Sequence, residues 1–381
     1  MTVPLPLSAA EIERTRAPLE RATMLPGAAF TDPDVLEWER ANLFRGGWVC
    51  AGHVDQVRER GQYLMLDVAG ESVMVIADDD GLPRAFLNTC RHRGARLVFM
   101  PEGKVRRLQC PYHAWTYGLD GSLRSAPFTD GLEDFDPSCF GLHAVRLAVV
   151  EGLILLDLSG DAPSPQEHVG DLATHLAAYK TAELRRAQRV VYEVGANWKA
   201  IAENYSECLH CPGVHPELNR LSHYLSGETY EGAGAWCGGS MTLAEGVETM
   251  AVEGSEHNRP SIAGVDERSI LYFLLFPNTL VSLHPDYVML HTLWPQAPDR
   301  TQVVCEFFFE ASTMAAPDFD ASDAVAFWDQ VNREDWNVCE LTQAGMSSKH
   351  FTPGRYTTQE TDVHTFDVMV ADRYMEGALV S

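Results

Sequence analysis

The chain has 381 residues, room for two ordinary domains or one large one, and 45% hydrophobic with 22% charged residues is the balance of a folded globular protein. That excludes a disordered chain, a collagen-like fibre and a small disulfide-stapled scaffold. A formal charge of −25, from 29 Lys and Arg against 54 Asp and Glu, repels phosphate backbones and anionic headgroups, so nucleic acid and membrane are not expected as partners. The opening MTVPLPLSAAEIERTR lacks the basic stretch and apolar core of a signal peptide. No apolar run reaches the ~20 residues of a membrane span. Nine cysteines without a secretory signal point to a reducing cytoplasm, with thiols or metal ligands rather than disulfides.

In chain order, Ser8 followed by Glu11 is a capping-box pattern that starts a helix over 8–20. From 48 to 158 short apolar runs (YLMLDV, SVMVIAD, AVVEGLILLDL) alternate with Gly, Asp and Pro turns, the pattern of a small all-β module. Asp120-Gly121 reads as a hairpin turn between Trp115-Thr116-Tyr117 and Leu123. Residues 161–165 (DAPSP) read as a linker. Beyond it, 168–189, 197–210 and 321–344 have helical periodicity, and 270–294 and 301–310 read as long strands. The architecture is α+β, a β module followed by a mixed domain.

Two Cys–His pairs lie in the β module: Cys90-Arg91-His92, then seventeen residues, then Cys110-Pro111-Tyr112-His113. Two thiolates can hold one iron of a [2Fe–2S] cluster and two imidazoles the other, which raises the reduction potential. Gly94, Pro111 and Gly118 suit the tight loops this needs. A structural zinc site is the alternative, but zinc sites usually pair Cys with Cys and His with His. CRHRGARL and CPYHAWTYGLDGSL resemble the Rieske motif of ring-hydroxylating and related oxygenases. Trp115 and Tyr112 are expected to pack over the cluster, with the Tyr112 hydroxyl placed to tune its potential.

The second constellation is NWKAIAENYSECLHCPGVHPEL. His210 and His215, five apart, stand about 140° apart on a regular helix and converge only if it is interrupted. Pro212 and Gly213 fall in that interval. Two histidines and a carboxylate on one face of an iron leave positions for O2 and substrate. Spacing alone leaves Asp329, Glu334, Asp335 and Glu340 open as the carboxylate. Cys208, Cys211 and Cys339 read as buried small hydrophobes.

Taken together the chain resembles the catalytic α subunit of a Rieske non-haem iron oxygenase. DWNVCE with Gln343 and Gly345 is similar to that family's iron-aspartate helix, which implies Asp335 as the third ligand. The resemblance implies an all-β Rieske [2Fe–2S] domain at 45–160 and a helix-grip catalytic domain, an antiparallel sheet with helices, at 161–381. A helical segment, 1–44, packs on the latter. It implies a homotrimer in which electrons, drawn from NAD(P)H by a separate flavin/iron-sulfur reductase, cross between subunits to a mononuclear Fe(II). Glu207 occupies the bridging position, where most of the family has aspartate. Glutamate there is similar to the branch acting on carnitine, choline and glycine betaine, implying hydroxylation or N-demethylation of a quaternary ammonium substrate.

Aromatic faces hold such a cation best, and the cage candidates are Tyr205, Trp236, Tyr272, Phe276, Tyr287 and His291. The alternatives are an aromatic-ring hydroxylating oxygenase and, from another class, an electron carrier or zinc-stabilised binding module.

Overall fold

A computed structural model describes residues 5–252, 254 and 259–378. The chain divides into two compact units, Arg45–Ala162 and Met1–Phe44 together with Pro163–Ser381. Among the described residues no helix is long and apolar enough to cross a membrane.

The Arg45–Ala162 unit is all β. Its seven-stranded sheet runs Trp48–His53, Leu153–Asp157, Ala144–Val150, Pro83–Leu87, Glu71–Ala77, Gln62–Val68, Glu102–Lys104 in spatial order. Every adjacent pair is antiparallel. Gln62–Val68 turns into Glu71–Ala77 through Ala69-Gly70, whose φ angles of 51° and 90° match the right-handed twist of the two strands. A second sheet of three short strands, Leu108–Gln109, Thr116–Tyr117 and Leu123–Ser125, contains the expected Asp120-Gly121 turn. Asp157 ties the end of the unit together, accepting from Arg146 Nη1 at 3.0 Å while Arg146 also lies over the Trp48 ring.

The other unit is built on a seven-stranded antiparallel sheet in the order Arg185–Val194, Arg300–Phe309, Val288–Ala297, Thr279–Leu283, Ser269–Leu275, Trp236–Thr242, Glu228–Thr229. The expected long strand over 270–294 is three strands, because Pro277-Asn278 and 284–287 turn the chain back on itself. The expected helix over 168–189 is likewise shorter. Ser164 caps Pro165–Val169, Gly170 at φ 57° ends it, Leu172–Ala178 follows, and the chain from Arg185 to Val194 joins the sheet. Helices Trp198–Tyr205, Ser322–Met346 and Thr361–Ala378 complete the unit, and the N-terminal Ala9–Thr15 helix packs against Thr361–Ala378.

One carboxylate holds three distant segments together. Glu39, from the N-terminal segment, receives Lys199 Nζ at 2.6 Å, Trp198 Nε1 at 2.9 Å and the Tyr374 hydroxyl. Both partners of the Lys199–Glu39 pair have fully buried side chains (0% exposed). Burial lowers the Lys199 pKa below that of a free lysine, and Glu39 counters only part of that penalty. The start of Ser322–Met346 is pinned in the same way, by Arg259 bidentate to Asp323 (2.6 and 3.1 Å) and bonded to buried Asp286 (2.9 Å).

Glu39→Ala strands a buried ammonium. It is expected to destabilise this unit by about 3–5 kcal/mol, seen as a lower denaturation midpoint in urea. An unchanged midpoint would show that Lys199 finds water or loses its proton at little cost.

Candidate metal centres

The two Cys–His loops of the β unit are stapled alike. Cys90 N–H donates to the Ala95 carbonyl and Gly94 N–H to the Cys90 carbonyl; Cys110 N–H donates to Trp115 and Ala114 N–H to Cys110. The residue four after each cysteine is left-handed, Gly94 at φ 76° and Ala114 at φ 58°. Ala114, not Gly118, therefore makes the second turn. Both cysteines are buried free thiols, at 2% and 3% exposure, while His92 is exposed and His113 half-buried. The imidazoles face each other with centroids 4.6 Å apart, and Trp115 stacks flat on His92 at 5.0 Å.

The buried Nδ1 of His113 has no hydrogen-bond partner among the described residues, as expected of an atom that ligates a metal. Thiols inside and imidazoles outside suit a [2Fe–2S] cluster with one iron at the surface. The hydroxyl that reaches the sulfur is Tyr117, 3.3 Å from Cys90 Sγ and 3.0 Å from Arg91 N, whereas Tyr112 is 60% exposed and packs on His113. Tyr117 went unnoticed because the strand pattern marks it only as core; its place, opposite Leu108 in the small sheet, depends on pairing.

In the other unit, the Trp198–Tyr205 helix ends at Ser206, and a loop leads to the single turn Cys211–Val214. Pro212 sits in the first turn of that short helix rather than breaking it. The break falls at His215 itself (φ −124°, ψ 67°), because Pro216 bars its predecessor from helical geometry. His210 opens the turn and His215 closes it, which brings their rings to 5.2 Å at 77°.

Their Nε2 atoms converge on Asp335 Oδ1, at 3.3 Å from His210 and 2.8 Å from His215. Donors of His210, His215 and Asp335 lie within 4.8 Å of one another. Two donors at right angles on a metal, each at ~2.1 Å, stand about 3 Å apart, so this set fits one metal ion. Each Nδ1 is held from behind, His210 by Glu207 Oε1 at 2.6 Å and His215 by Glu334 Oε2 at 2.7 Å. Burial opposes the His210 cation, but Asp335 and Glu207 raise its pKa to about 9; burial would raise Asp335, yet both imidazoles hold it low. Glu207 Oε2 also accepts the Leu209 and His210 amides, so the extra methylene is taken up by its own loop.

Of the other open carboxylates, Asp329 pairs with Arg333 and Tyr192, and Glu340 caps the Gly195 amide. Glu334 does not join the triad but braces His215 from behind. Cys339 is a buried free thiol as expected. Cys208 and Cys211 are not: they form a disulfide, since the turn that presents His210 brings their Cα atoms to 5.2 Å.

The triad lies in the wall of a cavity of about 190 Å³. Tyr205 and Tyr272 line it, with ring centroids 6.1 Å apart at 77°. The other four cage candidates do not. Trp236 packs on Phe273, the residue facing away from Tyr272's side of the strand, and donates to Asp171 (3.0 Å). Phe276 packs against Trp198 and Phe366. Tyr287 lies flat on His284 with its hydroxyl on the Met250 carbonyl (2.6 Å), and His291 is buried against Trp336. Trp328 and Tyr224 line the cavity instead. Trp328, Val331 and Asp335 share one helix face at spacings of three and four, a signal available once Asp335 is chosen.

Comparison with known proteins agrees with these two centres. Residues 181–376 match the ring hydroxylating alpha subunit (catalytic domain) family, and 47–136 match the Rieske [2Fe-2S] domain. The chain belongs to the Rieske non-haem iron oxygenases, enzymes that hydroxylate with O2 and supplied electrons. This sets aside the electron-carrier and zinc-module alternatives.

It is 27% identical to the glycine betaine monooxygenase oxygenase subunit of Pseudomonas aeruginosa over 93% of this chain and 89% of that one. It is 27% identical to the carnitine monooxygenase oxygenase subunit of Escherichia coli (87% and 86%) and 29% identical to the chloroplastic choline monooxygenase of Spinacia oleracea (92% and 78%). Its fold matches the quaternary ammonium Rieske monooxygenase CntA in complex with L-carnitine (TM-score 0.80, 23% identity, 97% and 99% covered). It also matches naphthalene 1,2-dioxygenase from Rhodococcus sp. (TM-score 0.81, 20%, 96% and 97%).

Two substitutions test the supporting groups. Tyr117→Phe removes a donor to a cluster sulfur and is expected to lower the cluster potential by tens of millivolts, read by EPR-monitored titration. Glu334→Ala frees His215 and is expected to weaken divalent metal binding about 10–100-fold in a Co(II) titration, with the cluster signal unchanged.

Proposed function

We propose that this chain is the oxygenase component of a cytoplasmic system that hydroxylates a C–H bond beside the nitrogen of a quaternary ammonium compound. Cys90, His92, Cys110 and His113 hold the [2Fe–2S] cluster; His210, His215 and Asp335 hold the mononuclear Fe(II). A separate flavin/iron-sulfur reductase draws electrons from NAD(P)H. Three copies would close a ring in which Glu207, hydrogen-bonded to His210, would bridge the triad of one subunit to a cluster histidine of the next.

The observation that carries this reading is the pair of imidazoles presenting Nε2 to one carboxylate, each braced at Nδ1, in the wall of a cavity lined by Tyr205, Tyr272 and Trp328. The bound metals supply reduction of O2: with two electrons and two protons, one oxygen atom becomes the hydroxyl and the other water. Glu207 and Glu334 fix the tautomer and aim of the two imidazoles. The aromatic rings favour a cation that has no N–H to donate. A hydroxylated N-methyl group then breaks down to an aldehyde and a tertiary amine.

Anaerobically purified protein is expected to hold about three irons and two acid-labile sulfides per chain, with a rhombic EPR signal after dithionite. Glu207→Ala should keep that content yet lose turnover by about 100-fold. Zinc without sulfide would overturn the assignment, and normal turnover in Glu207→Ala would overturn the bridge.

A further inference from the structure

The charge of the cavity is one-sided. Its described lining includes four carboxylates, Glu207, Glu228, Asp335 and Asp362, and neither Lys nor Arg. Residues 1–4, 253, 255–258 and 379–381, outside the described ones, contain no Lys or Arg either. The histidines engage Asp335 and Glu207, which leaves Asp362 and Glu228 as the lining carboxylates with no histidine against them.

Asp362 stands in the first turn of the Thr361–Ala378 helix and accepts the Thr229 hydroxyl at 3.2 Å from the edge strand Glu228–Thr229. Burial pushes its pKa up to about 6 against the bonds from Thr229 and the Gly238 amide, so at mildly alkaline pH it is a carboxylate. The rings of Tyr272 and Trp328, centroids 6.5 Å apart, belong to the same lining. Carboxylate and π faces both favour a cation, while away from the His210–His215–Asp335 triad a ligand carboxylate would be desolvated with no Lys or Arg to meet it. The space is small as well. A cavity of about 150 Å³ holds benzene, so one of about 190 Å³ suits a molecule of only slightly more heavy atoms.

We infer that the substrate is a small ammonium cation with no carboxylate of its own, a quaternary amino alcohol rather than a betaine, and that Asp362 is a specificity-determining residue that selects it. The inference rests on the function proposed above and narrows it.

Choline and glycine betaine make a matched pair, since both carry a trimethylammonium head and they differ in a CH2OH against a carboxylate. Binding to the full-length enzyme is measured by calorimetry, and turnover by formaldehyde release and O2 uptake with a reductase at about pH 8. Choline is expected to bind and react at least about tenfold better than glycine betaine, an advantage of ~1.4 kcal/mol. Asp362→Asn is expected to raise KM for choline about tenfold with kcat little changed, Asp362→Glu to recover part of the loss, and glycine betaine to gain or hold steady.

A preference for glycine betaine or carnitine, or an unchanged choline KM in folded Asp362→Asn, would overturn the inference and leave the oxygenase reading intact. The wild-type comparison decides even if the variant fails to fold. If neither cation nor zwitterion binds and a neutral aromatic hydrocarbon is hydroxylated, the quaternary-ammonium reading itself falls.

Discussion

The catalytic unit depends on a problem of backbone direction. Two imidazoles five residues apart must deliver the same ring nitrogen to one point, and a continuous helix would send them to different faces. The chain solves it by ending a helix at Ser206, making one turn, and bending at His215, where Pro216 denies the helical conformation. Each ring is then locked by a carboxylate at its rear nitrogen, one from the same loop and one from the long Ser322–Met346 helix. That helix must hold its register to within one residue, because adjacent positions on it do different work: Glu334 braces His215 and Asp335 meets both imidazoles. The Arg259 clamp at Asp323 and the capping of Asn197 and Gly195 amides by Gln343 and Glu340 hold it at both ends.

The cluster loops solve a related problem by repetition. The same pair of backbone bonds is used twice, so cysteine is buried and histidine turned outward both times. The sulfur side touches Tyr117 and the histidine side is open. The hydroxyl that would tune a cluster's potential is thereby kept apart from the exposed imidazole side.

How much of this the sequence disclosed follows from the range of the interactions. The Cys–His pairs and the His210–His215 pair are local patterns, legible as written. The α+β class followed from periodicity, and the hairpin at Asp120-Gly121 from turn chemistry. Asp335 needed family resemblance, since spacing does not separate it from Glu334, and only the fold shows that the two carboxylates share the task. The cage candidates were aromatic residues near the right segments, and four of the six pack elsewhere: strand alternation turns Trp236 to the opposite face with Phe273, Phe276 and Tyr287 stand in the connections between strands, and His291 is covered by Trp336. Strand and helix ends over 168–189 and 270–294 were misjudged where Gly170 breaks a helical period and Pro277-Asn278 an apolar run. The Cys208–Cys211 disulfide was unexpected because compartment reasoning treats cysteines collectively, whereas pairing depends on one turn.

Glu39 has a consequence for the order in which the protein can be made. Its three partners come from residues 198, 199 and 374, so the carboxylate emerges from the ribosome long before the groups that satisfy it. The Arg45–Ala162 unit is continuous and can close as soon as it is synthesised, whereas the other unit, split in sequence, waits for the Thr361–Ala378 helix. During that wait the first 44 residues are a tether with an unmatched charge. Truncating the C-terminus would therefore be expected to harm the nascent chain's beginning as much as its end.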